Sequence, residues 1–245
     1  MMRVSSMNSV LWAVTALLGL LLSLIVAWHL LSPFNFFYSQ WYDLIGIDDN
    51  IAEYGPLNKN RKGFATTHRL EHERLMTELV AAINSGGEGL STIEYKDSKG
   101  EPIDTLLTDA ETTHMRDVAQ LIHWMNRCAI ALVLLTAVLL LWAGKKAMKM
   151  PSLSGLSIKM LALLAMLAVI VLIVGPVEVF YQLHVWLFPD KNQWFFYYED
   201  SLMTTMLKAP VIFGPIVVVL VLVAAITWWL GFSLIARLMG RIQEN

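Results

Sequence analysis

The sequence predicts a membrane protein: an all-α bundle of four transmembrane helices with a small extracytoplasmic α+β domain. Hydrophobic residues make up 56% of the 245 residues and only 16% are charged, a composition that excludes an ordinary soluble domain. Four apolar runs are each long enough to cross a bilayer. The polar stretch after the first run contains periodic segments and turn residues, which indicates a folded domain rather than a linker.

The first apolar run, Val10–Leu31, follows a basic flank at Arg3. It is longer than the apolar part of a cleaved signal peptide, so it predicts an uncleaved anchor. The polar stretch that follows has a helical stripe over Thr66–Asn84, which ends in Ser-Gly-Gly. Two short strands of a hairpin are predicted at Leu90–Tyr95 and Ile103–Leu107.

Thr108 begins the longest predicted helix. The residues Thr-Asp-Ala-Glu at 108–111 form a capping box, in which the Glu111 carboxylate reaches back to the cap amide. No proline or glycine interrupts the chain from there to Gly144, which predicts one continuous helix of about 37 residues and roughly 55 Å. Only its last part, about Trp124–Ala143, is expected to lie in hydrocarbon.

The third and fourth predicted spans, Ile158–Val177 and Val211–Leu230, are joined by an aromatic-rich stretch, Val177–Pro210, that is typical of a membrane interface. In chain order, the predicted segments are the N-terminal end with span 1 (1–31), an extracytoplasmic domain (32–107), the long helix with span 2 (108–144) and a cytoplasmic loop (145–157). They are followed by span 3 (158–177), an extracytoplasmic aromatic loop (178–210) and span 4 with its tail (211–245).

Basic residues predict the orientation of the bundle. They share one side of it, at positions Arg3, Lys145, Lys146, Lys149, Lys159, Arg237 and Arg241. By the positive-inside rule this side, with both termini, is cytoplasmic. The domain and the aromatic stretch then face outward together. The net charge of −2 does not favour nucleic acid as a partner, and the single cysteine, Cys128, allows no internal disulfide or cysteine-based zinc site.

Two histidines are candidates for shared chemistry. At 1.5 Å of rise per residue, His114 lies about 15 Å above the point where span 2 leaves hydrocarbon, and His184 lies about 9 Å above the end of a helical span 3. The two imidazoles are therefore expected at similar heights, where they can exchange protons near neutral pH. His114 has Asp117 three residues on and shares a predicted buried stripe with Ala110, Val118, Leu121 and Met125. The alternative is two unrelated packing histidines.

Carboxylates accompany the second histidine. Glu178 lies at the end of an apolar span, where an ionisable group needs solvent or a partner. It either orients an imidazole, pairs with Arg116 or Arg127, or is an interfacial carboxylate in contact with water. Glu199 and Asp200 follow at the end of the aromatic stretch.

A second pair of histidines, His68 and His72, has the i, i+4 spacing that can bind zinc from one helix face. Glu71 stands directly before His72, and no third ligand follows in the sequence. A solvated helix face is therefore the preferred interpretation of these residues, and metal binding is the alternative.

The chain lacks a nucleophile elbow, a P-loop and a dinucleotide-binding fingerprint. Two histidines without a protein nucleophile suit a reaction in which the substrate supplies its own nucleophile. The enzyme then moves protons and stabilises an oxyanion.

Two motifs, in this order, resemble those of a known family. The first is His-Met-Arg-Asp-Val at 114–118, before a span, and the second is Phe-Tyr-Gln-Leu-His at 180–184. Further matching residues precede the last span: Phe188, Trp194, Phe196, Asp200 and Pro210. The pattern is similar to that of small four-span bacterial membrane proteins, the lipoprotein intramolecular transacylase family.

The resemblance implies an acyltransferase of the bacterial cytoplasmic membrane that needs no cofactor and no metal. Its substrate would be a diacylated lipoprotein or lipopeptide held in membrane lipid at the outer leaflet. The sn-2 acyl chain of the diacylglyceryl-cysteine would move to the α-amine, giving the lyso form. The two active histidines of the family map to His114 and His184, one as base and one as acid in unassigned order. Supporting roles are expected for Asp117, Glu178, Tyr181, Trp194 and Asp200.

A different class of function stays open from the residues alone. A non-enzymatic membrane scaffold or binding protein would hold a partner through its extracytoplasmic domain. In that case substitutions of the histidines are silent, and changes on the surface of the domain abolish binding.

Overall fold

A computed structural model describes residues 2–188 and 192–244, and it is mostly helical. In chain order the helices are α1 (Met2–Leu31), α2 (Tyr38–Leu44), α3 (Ile47–Tyr54), α4 (Arg69–Asn84), α5 (Asp109–Lys145), α6 (Leu153–Val174), α7 (Pro176–Leu187), α8 (Leu202–Leu207) and α9 (Phe213–Glu244). Strands β1 (Glu94–Lys96) and β2 (Pro102–Thr105) form an antiparallel hairpin between α4 and α5. Of the described helices, α1, α5, α6 and α9 are long and apolar enough to cross a membrane. The predicted fold class is confirmed.

The chain divides into two compact units. The span unit comprises Met1–Leu30, Met125–Val174 and Val218–Asn245, and the polar unit comprises Leu31–Trp124 and Gly175–Val217. The side chains of Arg3 and Arg241, and residues 189–191 of the aromatic stretch, lie outside the described residues.

The interior of the span unit is built where α1 meets α6 and α9. Buried apolar side chains from all three helices form one cluster: Ala16, Leu20, Leu156, Met160, Trp228 and Phe232. Gly19 permits this approach, because a Cβ at that position would lie 2.7 Å from the ring of Phe232. The Trp228 indole N–H donates to the carbonyl of Ala16 at 3.0 Å, so the buried ring keeps its polar atom satisfied.

A second cluster in the span unit gathers the helix ends that carry the basic residues. It contains Leu11, Trp12, Ala143, Met148 and Met239. The side-chain amide of Asn8 also donates to the carbonyl of Lys149 at 2.9 Å. The beginning of α1, the α5–α6 loop and the end of α9 therefore lie at one end of this unit.

The exposed sides of the spanning helices, which point away from the interior of the span unit, are apolar. On α6, Leu172 is 72% exposed and Ile173 is 79% exposed. Continuous apolar faces of this kind on helices long enough to cross a bilayer are typical of surfaces that contact lipid.

In the polar unit, α4 presents one apolar face to the hairpin and its surroundings. Its buried residues are His72, Leu75, Met76, Leu79, Val80 and Ala82. The apolar stripe predicted for this helix consists of Met76, Leu79, Val80 and Ile83, and of these only Ile83 is not fully buried. Both strands are shorter than predicted. Leu90–Thr92, expected as strand, is a 3-10 turn that follows Gly89 at φ +82°, and such a dihedral interrupts extended backbone.

The interpretation of His72 as part of a solvated helix face is wrong. This side chain is 2% exposed, and both of its ring nitrogens are engaged. Nδ1 lies 2.9 Å from the hydroxyl of Tyr42 and Nε2 lies 2.7 Å from that of Thr67. Because those hydroxyls occupy both nitrogens, His72 has none left for the alternative, a metal ion shared with His68.

The height estimate for His184 assumed that the helix of the third span, predicted to end near Val177, continues without a break, and this assumption is wrong. Helix α6 ends at Val174, and Gly175 has φ +99°, a value that residues with a side chain rarely adopt. Pro176 then begins α7 as its first residue, the position where a missing amide hydrogen costs least. His184 therefore lies on a helix of its own.

Candidate active site

His114 lies on the second turn of α5. Its ring is 6% exposed, and its Nδ1 has no hydrogen-bond partner among the described residues. The buried face of these turns differs slightly from the predicted stripe, since its members with His114 are Glu111, Thr112, Met115, Ala119 and Ile122. The predicted neighbours on the stripe are only partly buried, because helical periodicity alone does not fix a face to within one residue.

His184 lies on the last turn of α7 and is partly buried. Its Nδ1 is 2.8 Å from the carbonyl oxygen of Phe180. A carbonyl only accepts hydrogen bonds, so Nδ1 carries the proton and Nε2 keeps a lone pair. Burial lowers the pKa of the His184 imidazole below its ordinary value, and the hydrogen bond to Phe180 offsets this only in part. This ring is thus held neutral with Nε2 as an available base.

The two imidazoles are neighbours. Their ring centroids lie 6.0 Å apart with 37° between the planes. At this separation a small movement of the rings, or one bridging water molecule, can connect a nitrogen of each imidazole for proton transfer. The juxtaposition joins residues that are far apart in sequence, on α5 and α7.

Aromatic side chains enclose the histidine pair. Phe188 packs against both rings, at 4.9 Å from His114 and 5.2 Å from His184. Phe196 lies 6.2 Å from His114, Phe180 lies 4.0 Å from His184, and Trp194 lies 5.0 Å from His184. This apolar lining explains why burial dominates the pKa of His184, and it suits a substrate with lipid character.

Two carboxylates on α5 hold the segment 192–201 next to His114. Asp117, three residues after the histidine, accepts a hydrogen bond of 2.6 Å from the side-chain amide of Asn192. Glu111, three residues before it, accepts one from the hydroxyl of Ser201. Both ends of the segment are therefore bonded to α5. The two bonds lie on either side of His114, the residue that contacts the ring of Phe196.

Glu111 is also the capping residue predicted from the sequence. Its carboxylate accepts hydrogen bonds of 2.7 Å from both the amide and the hydroxyl of Thr108, which confirms the capping box. Ser201 in turn caps α8 by accepting from the amide of Thr204 at 2.9 Å. One fully buried carboxylate thus connects the beginnings of two helices.

The other candidate residues have different surroundings. Tyr181 packs against Trp194 at 5.8 Å and so borders the enclosure. Glu178 is exposed in the first turn of α7, and the group bonded to the His184 ring is the carbonyl of Phe180. Asp200 forms an ion pair of 3.2 Å with Lys59.

Sequence reasoning missed the tertiary partners of the two carboxylates, Asn192 and Ser201. Neither residue type carries a sequence signal for such a contact, and Glu111 was already accounted for by its local cap. Within the described part of the chain, no three histidine, cysteine or acidic side chains are grouped closely enough to hold a metal ion.

Comparison with known proteins identifies the family. The family model of the lipoprotein intramolecular transacylase Lit matches residues 61–210, which is more than half of the chain. The chain belongs to the lipoprotein intramolecular transacylase family. Membership identifies it as an acyltransferase, and it favours the enzymatic hypothesis over a scaffold. A search of curated proteins found no significant match.

A solved structure has the same fold. It is the in meso structure of the membrane-integral lipoprotein intramolecular transacylase Lit from Bacillus cereus, in a variant with one histidine replaced by arginine. The similarity has a TM-score of 0.65 and 16% sequence identity, and it covers 97% of this chain and 94% of that one. At this identity the match establishes the architecture of the transacylase family for nearly the entire chain.

Proposed function

We propose that this member of the transacylase family moves the sn-2 acyl chain of a diacylglyceryl-cysteine to the α-amine of the same cysteine, which gives the lyso form of a lipoprotein. The observation that carries the proposal is the pair of neighbouring imidazoles, with centroids 6.0 Å apart inside an aromatic enclosure. The substrate supplies both the nucleophile and the ester, so acid–base groups are the chemistry the protein must provide.

His184 is the base in this proposal. The neutral α-amine attacks the ester carbonyl, and Nε2 of His184 takes a proton from the nitrogen as the C–N bond forms. The tautomer imposed by the Phe180 carbonyl leaves that atom ready to accept it.

His114 returns the proton to the leaving group. It accepts the proton from His184 on one ring nitrogen and releases one from the other to the glycerol oxygen as the C–O bond breaks. The proton taken from nitrogen thus reaches oxygen, and both imidazoles end neutral. A relay of this kind fits a buried His114 whose Nδ1 has no partner among the described residues.

The enclosure supplies positioning and oxyanion stabilisation. Trp194 packs on His184 and carries an indole N–H, a donor suited to the ester oxygen that becomes negative. Tyr181 borders Trp194 and supports its orientation. Because the amine and the ester belong to one molecule, much of the advantage of proximity, on the order of 7–11 kcal/mol for well-oriented groups, lies in the substrate itself, and the enclosure adds selection of the reacting conformer.

The proposed location is the cytoplasmic membrane of a bacterium, with both termini inside and the site at the outer leaflet. In the span unit, the beginning of α1, the α5–α6 loop and the end of α9 share one end. Lys145 ends α5, and Lys146 and Lys149 follow in that loop. Such clusters remain in the cytoplasm. The diacylated lipoprotein then enters the enclosure from the lipid of the outer leaflet.

The test is conversion of a synthetic diacylated lipopeptide by the purified protein in lipid nanodiscs. Substrate and product are isomers of equal mass, so the readout is the fragment spectrum together with loss of amine reactivity. Replacing either catalytic histidine, as in His114→Gln or His184→Gln, is expected to slow conversion by about 10²- to 10⁴-fold.

The matched control is the exposed histidine on α5, since His123→Gln should convert substrate at the wild-type rate. Unchanged conversion by both His114→Gln and His184→Gln would remove the assigned roles.

A further inference from the structure

A cavity in the polar unit is lined in part by the segment 192–201, which also borders the histidine pair through Trp194 and Phe196. Its volume is about 420 Å³, within the range of ligand sites. It is lined by three tyrosines and an ion pair: Tyr54, Lys59, Tyr197, Tyr198 and Glu199. The lining is polar and aromatic together, unlike the enclosure of the histidines, which is mostly hydrocarbon.

The walls of this cavity are held in place without a ligand. Lys59 forms ion pairs with Glu199 at 3.0 Å and with Asp200 at 3.2 Å, and its backbone amide donates to the carbonyl of Glu199 at 2.8 Å. The rings of Tyr54 and Tyr198 pack at 4.8 Å. Because these contacts already fix the lining, little ordering has to accompany binding.

Successive ring contacts connect the cavity to the catalytic histidine. Trp194, which packs on His184, lies 6.1 Å from Phe195, and Phe195 lies 5.0 Å from Tyr197, a residue of the cavity wall. The path from the His184 ring to the Tyr197 ring is on the order of 15 Å long, a distance that an extended peptide covers in about five residues. A chain attached at the histidines therefore reaches the cavity within a few residues.

From this geometry we infer that the cavity bounded by Tyr54, Lys59 and Tyr197 binds the polypeptide of the substrate, a few residues after its lipidated cysteine. The inference rests on the proposed function and adds a subsite to it. Phenol hydroxyls and an ion pair donate and accept hydrogen bonds with peptide groups, and the tyrosine rings cover side chains. An acyl chain is a poor occupant, because it would remove water from the tyrosine hydroxyls and from the exposed Lys59–Glu199 ion pair without offering hydrogen bonds in return.

The experiment compares two lipopeptides with the same lipid, one ending after a dipeptide and one after an octapeptide. For the wild-type protein in nanodiscs, KM for conversion and Kd for a dye-labelled form are measured with each. Both constants are expected to be about tenfold lower for the octapeptide, with kcat alike. This length advantage should shrink to less than about threefold in Tyr197→Ala, whose side chain is 67% exposed and contributes little to folding.

Tyr54→Ala changes the opposite wall of the cavity and should reduce the length advantage in the same way. Leu70→Ala, at an exposed position on α4, is the control and should keep the full advantage of the octapeptide. Equal constants for the two lengths in the wild-type protein, or a full advantage in both tyrosine variants, would overturn the inference. If neither lipopeptide is converted but Kd still depends on length and on the tyrosines, the proposed reaction fails and the peptide subsite stands.

Discussion

The buried carboxylate of Glu111 accepts a hydrogen bond from the hydroxyl of Ser201, and this contact joins the first turn of α5 to the beginning of α8. His114 lies one turn further along α5. The same carboxylate satisfies the Thr108 amide, so a local cap and a tertiary contact depend on one side chain. The position of the His114 ring is therefore expected to depend on Glu111.

Removal of this carboxylate should impair turnover. In Glu111→Ala, the Ser201 hydroxyl and the Thr108 amide lose their buried partner, the segment 192–201 shifts, and kcat falls by about 100-fold because displacements near 1 Å cost that much. Glu111→Gln should retain most activity, since its oxygen accepts from Thr108 and its amide donates to Ser201. The exposed Glu88→Ala is the control. A glutamine variant as impaired as the alanine variant would count against a positioning role.

The contact between Asp117 and Asn192 can be tested by exchanging its partners. In Asn192→Asp, two carboxylates face each other where 2.6 Å separates the present pair, and their repulsion should reduce kcat about tenfold. Adding Asp117→Asn restores one amide and one carboxylate in reversed order, so activity should recover. The double-mutant cycle in kcat should show a coupling of about 1–2 kcal/mol. Additive losses would mean that the two side chains act independently.

Above about pH 5, the pH dependence of kcat/KM should show two acidic steps. His114, which must be neutral to accept a proton, titrates below this range because burial lowers its pKa to about 4. The substrate amine must be neutral to attack, which gives a first decline below about pH 8. His184 must also be neutral to act as base, and because burial lowers its pKa, its step lies below pH 6.5. Below that second pKa, log(kcat/KM) should fall with a slope of two rather than one. In His184→Ala the residual activity should keep only the first step, and a variant that retained both would contradict the assignment.

The buried His72 should make the protein sensitive to acid. Burial lowers its pKa from 6.5 to about 4, so the unfolded chain binds a proton in this interval that the folded chain does not. The contribution of His72 to the free energy of unfolding should therefore decrease by about 3 kcal/mol as pH falls from 6.5 to 4. The buried His114, whose pKa burial also lowers to about 4, adds to this decrease. Thermal melting followed by circular dichroism measures this. His72→Gln should melt lower at pH 7 but lose this part of the pH dependence.

The orientation of the chain can be tested by labelling single cysteines. In a Cys128→Ala background, Ser98→Cys in the exposed hairpin turn should react with a membrane-impermeant maleimide on intact spheroplasts. Lys146→Cys in the α5–α6 loop should react only after permeabilisation, because positively charged loops remain in the cytoplasm. The reverse pattern would place the histidine pair on the cytoplasmic side.

The spans and the long helix were predictable because a bilayer demands continuous apolar helices, and because the capping box at Thr108 marks a helix start locally. The juxtaposition of His114 with His184 was predictable from the two family motifs, whereas the height estimate for His184 assumed a continuous helix that the structure interrupts at Gly175. These signals are either local in the chain or set by the membrane.

The remaining features of the site depend on tertiary contacts that leave no periodic trace. The hydrogen bonds of Asn192 and Ser201 bring distant residues to α5, and a pattern along the chain does not report such distances. Gly175-Pro176 is a helix-breaking signal, but the apolar residues on both sides of it continue the hydrophobic pattern, so hydropathy alone places the end of the third span too late. The sequence predicts an exposed His72 because charged residues stand on both sides of it, whereas in the structure the side chains of Tyr42 and Thr67 cover its ring.

The partner of the His184 ring belongs to the main chain, because the carbonyl of Phe180 is present whatever residue occupies position 180. Alanine scanning, which deletes side chains only, would therefore find no orienting residue for this imidazole. To test the role of this carbonyl, the backbone itself must be changed, for example by replacing an amide with an ester. A survey of conserved side chains alone would misjudge how this histidine is kept in its reactive form.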